Sequence, residues 1–207
     1  MAKLIVFEGP DKCGKETQSK LLVTALRKRS LSCVRIEPSK EAHPWMRKLI
    51  YWMLDGGAAK RFPNTFQFIQ FLNKAYFQAF KLPKLLQDNH VVILDRWGLS
   101  GYVYGKAEGI YEWLNRWMFR HVRHPDITLI MTGTSYRRSS TVDDSYERDT
   151  ELQAKVKDMY HEAGAWPDYQ LIDNRGTREE VNASIVAALC QAGVVPSLPL
   201  GGYETGI

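Results

Sequence analysis

Five short runs rich in Val, Ile and Leu constrain how this chain can fold: LIVFE (4–8), SCVRI (32–36), VVILD (91–95), ITLIM (127–131) and YQLID (169–173). Their apolarity is continuous rather than alternating, the pattern of strands covered on both faces. Helical periodicity fills the intervals, with one helix opening after Gly14 and others at about 45–54, 65–87, 110–122, 146–161 and 178–190. Strand and helix alternate from one end to the other. That order predicts an α/β fold, a five-stranded, largely parallel sheet flanked by helices and joined by right-handed crossovers.

A chain of 207 residues is of single-domain size, and residues 1–195 read as one unit. Within it, the hydroxyl-rich, basic stretch at 133–147 has the composition of a mobile loop or lid. Residues 196–207, with two prolines and three glycines, read as an irregular tail. Apolar residues at 44% and charged residues at 25% exclude a disordered, collagen-like or disulfide-rich chain. Cys13, Cys33 and Cys190 show no C-x-x-C or zinc-type spacing, and no apolar run approaches bilayer length. These features predict a soluble, cytoplasmic protein with reduced thiols. The net charge of +5 points to anionic partners, and no dedicated nucleic-acid motif accompanies it.

In open parallel sheets, ligands gather beyond the carboxyl ends of the strands. Here the first strand runs into Glu8-Gly9, the second into Glu37-Pro38-Ser39 and the third into Asp95-Arg96-Trp97. GPDKCGKETQ (9–18) is close to the phosphate loop G-x-x-x-x-G-K-[ST]. Gly9 and Gly14 let backbone amides turn inward, Lys15 places a charge on the transferred group, and the helix that follows presents its N-terminus. Glu16 stands where a hydroxyl normally helps hold magnesium. Three readings stay open: it ligates the metal itself, it faces away as a first-turn acid while Asp95 or Asp11 organises the metal through water, or it marks a site that has lost turnover. Asp95 suits magnesium or orientation of the nucleophile, and Arg96 suits neutralising phosphate charge; the bland alternative is an ion pair capping a strand. The aromatic stripe Phe66, Phe68, Phe71, Tyr76, Phe77 and Phe80 reads mainly as core packing, with room for one ring on a base. His121 and His124 read as exposed side chains, and Arg137-Arg138 either clamp phosphates as a lid closes or are solvated.

Taken together, the motifs resemble the thymidylate kinase family of P-loop nucleoside monophosphate kinases. LIVFEGPDKCGKETQ is similar to its opening strand and loop, EP at 37–38 to its second-strand motif, VVILDRWGLSGYVY to its D-R segment and HPDITLIM to its P-D-L-T strand. SYERD with KVKDMY resembles its Y-E segment and helix, LIDNRGTREEV its last strand and turn, and PLGG its eukaryotic and large-virus branch. The resemblance implies a homodimer that uses ATP and Mg2+ to phosphorylate a deoxynucleoside monophosphate, dTMP to dTDP, or another or modified one.

Carried over by residue, it implies that Gly9, Lys12, Cys13, Gly14, Lys15, Glu16 and Thr17 hold ATP, with Asn174 and Arg175 near the adenine. Catalysis would fall to Lys15, Lys12, Asp95, Arg96 and Arg138, and the metal to Asp95 with Glu16 as a second candidate. Asp11 would meet the sugar 3′-hydroxyl, Arg47 and Arg96 the acceptor phosphate, and Tyr146 and Tyr104 the sugar. Glu37, Pro38 and Ser100 would line the acceptor site, Phe71 would stack on the base, and Lys74, or Ala75 without a gap, stands where the family has Arg. Gly105 falls where a side chain usually helps read the thymine edge. Because of Glu16 and these acceptor-site changes, a nucleotide-binding sensor or scaffold with impaired catalysis is a second expectation, and a kinase acting on a base within DNA a third.

Overall fold

The computed structural model describes residues 2–41, 43–133 and 150–196. Strands β1 (Lys3–Glu8), β2 (Cys33–Ile36), β3 (Val91–Asp95), β4 (Ile127–Thr132) and β5 (Tyr169–Asp173) fall on the five apolar runs. They pair in parallel throughout, in the order β2-β3-β1-β4-β5. β1 is buried from Leu4 to Glu8 and β4 from Ile127 to Met131, as central parallel strands must be. The chain leaves β1 toward β2 on one side and leaves β3 toward β4 on the other. The crevice beyond β1 and β3 is therefore the switch point where ligands collect in such sheets. Phe7 lies opposite Asp95, and the Arg96 amide donates to the Phe7 carbonyl at 2.9 Å, so the loop after β1 and the Asp-Arg pair meet at one edge.

Nine helices are described: α1 (Lys15–Arg27), α2 (Pro44–Asp55), α3 (Ala58–Arg61), α4 (Pro63–Phe80), α5 (Leu82–Asp88), α6 (Gly98–Ala107), α7 (Glu112–Arg120), α8 (Thr150–Ala163) and α9 (Arg178–Gln191). Alternate strand residues serve opposite faces of the sheet. Ile5, Phe7 and Ile93 pack with Leu22 of α1 and Ile185 of α9, whereas Leu4, Val6 and Val92 pack with Phe77 of α4 and Met118 of α7. A third apolar cluster joins Met53, Phe66, Val103, Val156 and Tyr160 from α2, α4, α6 and α8.

The helices depart from expectation in three places, one of them the unanticipated single turn α3. The single helix expected over 65–87 is broken between α4 and α5 at Lys81. Pro83 has no N–H to continue the ladder and is accommodated only in the first turn of a new helix. Helix α6 was not anticipated, because Gly98, Gly101 and Gly105 each lower helix propensity by about 1 kcal/mol relative to Ala. Gly105 is there for packing: a Cβ on it would come within 2.8 Å of both Asn115 Oδ1 and Ile110 Cδ1, where α7 and the turn before it press on α6. It is thus packed under α7 and lines neither of the two large cavities described below. Among the described residues no helix is long and apolar enough to cross a membrane.

Candidate active site

Two cavities open along the carboxyl edge of the sheet, of about 670 and 320 Å³, and both are lined by Asp11, Asp95 and Arg96. The larger is walled by the loop after β1. Gly14 ends that loop in the left-handed region (φ 86), and no side chain caps α1, so the first amides of the helix stay free for an anion. A Cβ at Gly14 would meet Asn174 Nδ2 at 2.6 Å, and that same nitrogen donates to the Cys13 carbonyl at 2.9 Å. Asn174 thereby clamps the loop from the end of β5. Lys15, 7% exposed, folds back to donate to the Gly9 carbonyl at 3.1 Å and to that of Pro10. Burial and then Arg96 lower its pKa, against Cys13, Asp11 and Asp95.

Charge at the junction is neutralised internally. Arg96 has φ 62, unusual for a residue with a Cβ, and its guanidinium pairs with Asp11. Asp11 also accepts from the Tyr104 hydroxyl at 2.8 Å and from Gln153 at 3.1 Å. Burial would raise its pKa, but Arg96, Lys15 and these hydrogen bonds together hold it below the ordinary value. Asp95 pairs with Arg35 of β2, which also donates to Glu37 at 2.9 Å and to Ser19 Oγ at 2.7 Å. Beneath them, fully buried Glu8 accepts from the Trp97 and Ser100 amides and from Tyr160 Oη at 2.7, 3.1 and 3.0 Å. Burial pushes the Glu8 pKa up, with Arg96 and those donors pulling the other way.

The expected residues fall unevenly. Lys12, Gly14, Lys15, Glu16, Thr17 and Asn174 line the larger cavity, and Pro38, Lys74, Ser100 and Tyr104 the smaller. Gly9 and Cys13 lie behind the loop. Glu37 is held by Arg35 and Lys40, Arg175 is turned outward onto Asp173, and Arg47 is exposed on α2; none of these three lines either cavity. Of the three readings of Glu16, the geometry is that of the outward first-turn acid, exposed and 2.6 Å from Lys20. Arg138, Tyr146 and nearly all of the 133–147 loop lie outside the described residues, as do residues 197–207 of the tail.

Phe71 sits apart from the other acceptor-site residues. The cavity-facing side of α4 carries Phe66, Gln67, Gln70, Asn73 and Lys74, spaced at a helical period, and Phe71 projects to another side. It packs in the core, with its ring centroid 5.2 Å from that of Trp117 in α7. Its ring lines a small neighbouring cavity with Gln67, Lys74 and Gly101, and does not line the 320 Å³ cavity. Lys74 takes the place that Ala75 would otherwise have had, since Ala75 packs into the core. Sequence reasoning missed Gln18 and Arg178 on the larger cavity, and Gln70 and Asn73 on the smaller. The helical period of α4, anchored on Lys74, would have found the last two.

Two cavities meeting at a charged pair, one of them closed by a phosphate loop, are what phosphoryl transfer between two nucleotides requires, and they define a nucleoside monophosphate kinase. The sequence matches the family model of thymidylate kinase over residues 7–185. The chain belongs to the thymidylate kinase family, whose reaction is the ATP-dependent phosphorylation of dTMP to dTDP. It is 28% identical over 209 residues to a protein of Thermococcus gammatolerans named for thymidylate kinase, covering 92% of this chain and 97% of that one. A similarly named protein of Invertebrate iridescent virus 6 is 31% identical over 162 residues, 76% of this chain and 73% of its own. The solved structure of thymidylate kinase from Candida albicans, described as having broad substrate specificity, superposes with a TM-score of 0.75 at 25% identity, covering 93% of this chain and 92% of that one.

Proposed function

We propose that the chain carries out its transfer at the junction of the two cavities, with ATP in the larger and the deoxynucleoside monophosphate, dTMP first, in the smaller. The observation that carries this reading is the sharing of Asp11, Asp95 and Arg96 by both cavities. The γ-phosphoryl group lies against the free amides of α1, and Lys15 exchanges its loop carbonyls for phosphate oxygens. Arg96 leaves Asp11 for the acceptor phosphate, and Asp11, once released, takes the sugar 3′-hydroxyl. Arg96 thus exchanges one ionic contact for another, and Asp11 keeps its bonds from Tyr104 and Gln153 while gaining the hydroxyl, so neither charge is left bare in a half-buried site. An acceptor phosphate oxygen then attacks the γ-phosphorus in line as the bond to the bridging oxygen breaks and ADP leaves with that electron pair, and the protein contributes chiefly positioning and charge.

Magnesium fits the donor set. Among the described residues no cluster of three or more His, Cys, Asp or Glu side chains stands ready for a metal. Mg2+ rarely needs one, since one or two carboxylates with phosphate oxygens and water suffice. Asp95 is the carboxylate at the junction, Thr17 and Glu16 are oxygen donors on the rim, and the ion would spread charge from the phosphate oxygens.

The working unit is a cytoplasmic homodimer. The dimer is supported by the exposed Phe68, Leu72, Trp113 and Trp117 on α4 and α7, where Phe68, Phe71 and Trp117 form a continuous ring ladder; sedimentation as a monomer at micromolar concentration would rule it out.

The test is a steady-state assay with ATP-Mg and a panel of monophosphates. Lys15→Ala should lower kcat by about 10²–10³. Turnover by the wild type no better than this variant with every acceptor sinks the proposal, and ATP binding without product favours a sensor.

A further inference from the structure

Two ionisable groups beneath the junction line neither of its cavities. Glu8, at the end of β1, and Tyr160, on α8, are both fully enclosed, at 0% exposure. A carboxylate taken wholly out of water is costly unless it is paired and hydrogen-bonded, so its place in the fold calls for a reason. Capping is half of it. Glu8 Oε1 accepts from the amides of Trp97 and Ser100, the N-cap and third residues of α6, a helix whose N-cap side chain makes no capping bond. A neutral oxygen serves as well for that. The other carboxylate oxygen points elsewhere: Oε2 accepts from Tyr160 Oη at 3.0 Å, and Tyr160 Oη in turn accepts from Arg96 Nη1 at 3.4 Å. Burial first, and then the Glu8 charge, push the Tyr160 pKa well up, so the hydroxyl keeps the proton it donates to Glu8 and presents a lone pair to Arg96.

These contacts converge on the arginine that both cavities share. Arg96 stands at φ 62, a conformation a residue with a Cβ holds only where its surroundings enforce it, and the amide that follows it is the Trp97 N–H on Glu8. Its Nη2 pairs with Asp11 while Nη1 rests on Tyr160. Gln153, two turns before Tyr160 on the same side of α8, donates to Asp11 at 3.1 Å, so one helix braces both members of the pair. We propose that Glu8 and Tyr160 are positioning residues for the transfer: Glu8 fixes the backbone of Arg96 through the Trp97 amide and its guanidinium through Tyr160, so that Arg96 stays at the junction when it leaves Asp11 for the acceptor phosphate. This rests on the phosphoryl-transfer reading and deepens it by naming what holds the shared arginine. A guanidinium is planar, so holding one nitrogen sets the plane of its remaining donors. Without that hold, Arg96 has the freedom of a long side chain to lose with every acceptor it binds.

The experiment is a double-mutant cycle on kcat/KM for dTMP. Tyr160→Phe removes the hydroxyl and keeps the ring in its apolar cluster, and Glu8→Gln removes the charge and keeps the shape. Each should lower kcat/KM by about tenfold, the factor a hydrogen bond to a charged group supplies. In an Arg96→Leu background the loss from Tyr160→Phe should shrink to about twofold or less, because the contact it removes is already gone. An equal loss in both backgrounds overturns the assignment, since a purely structural residue weakens either protein alike; so does no loss in the wild type. Should Tyr160→Phe fail to fold, Glu8→Gln runs the same cycle with the same two outcomes. If Arg96→Leu turns over too slowly to measure, dTMP affinity by calorimetry replaces kcat/KM at all four corners. Absence of any turnover by the wild type is a different result: it sinks the activity reading itself and takes this assignment with it.

Discussion

On the proposed ATP side of Arg96, the cavity is walled largely by residues between Asp11 and Gln18, with Asn174, Gly176 and Arg178 closing it. On the acceptor side, the walls come from the loop after β2 and from helices α2, α4 and α6. The first wall consists largely of backbone held by short-range geometry, and the second of side chains brought together by packing. Backbone groups bind any phosphate, so the ATP side needs little further specialisation. The acceptor side must choose a base, and its choice depends on rotamers, helix phase and charge.

The severest test of that contrast is Arg96, which lines both cavities. Arg96→Leu removes the fork at the junction and leaves Asp11 without its strongest partner, so kcat should fall by about 10²–10³. The KM values for ATP and dTMP should both rise, as measured by steady-state kinetics with each substrate varied in turn. A rise confined to dTMP would assign Arg96 to the acceptor alone and break the picture of a shared junction.

The same contrast explains what could be read in advance. The five strands were legible because continuous Val, Ile and Leu runs carry their own signal, and the phosphate loop because Gly14, Lys15 and the helix start sit within a few residues of one another. The acceptor wall was less legible. Lys74, Ser100 and Tyr104 line it as expected, but the resemblance alone put Phe71 on the base, and the residue pattern, which reads the stripe mainly as core, fits its packing against Trp117. Gly105 looked like a lost recognition residue and is a contact under α7. Arg35 read simply as part of a strand, because its bonds to Asp95 and Ser19 reach across to β3 and α1. What was missed depended on contacts distant in sequence or on the rotational phase of a helix.

A smaller effect separates the two sides by pH. Half-buried Lys74 has its pKa pushed down from 10.5 to about 8, by burial first; Glu8 of β1 opposes the shift and Arg96 beyond β3 reinforces it. The ammonium that faces the acceptor is therefore lost as pH rises through about 8. The kcat/KM for dTMP should fall by about tenfold across that range, the difference between a charge-assisted and a neutral donor. The kcat/KM for ATP should stay level, and Lys74→Arg should remove the inflection for dTMP. Stability has the opposite sign: between about 8 and 10.5 the unfolded chain keeps the proton that the folded chain has released, so stability rises with pH there. An inflection shared by both substrates would show that the titrating group acts on the common chemistry rather than on the acceptor wall.

The smallest effect is expected at Glu16, on the ATP side. Its carboxylate is exposed and paired with Lys20 one turn along α1, a contact that holds its pKa below the ordinary value. Such i,i+4 pairs are worth roughly 0.3–0.5 kcal/mol, so Glu16→Thr should leave thermal stability almost unchanged. The substitution supplies a hydroxyl where phosphate loops of this kind usually have one, and a single added ligand replacing water should lower half-saturating magnesium by about fivefold or less. Titrating the rate with magnesium at saturating ATP and dTMP measures this directly. A rise in half-saturating magnesium would mean that Glu16 leaves Lys20 to ligate the metal. In that case a side chain, and not backbone alone, tunes the ATP side, and the distinction between the two walls would narrow.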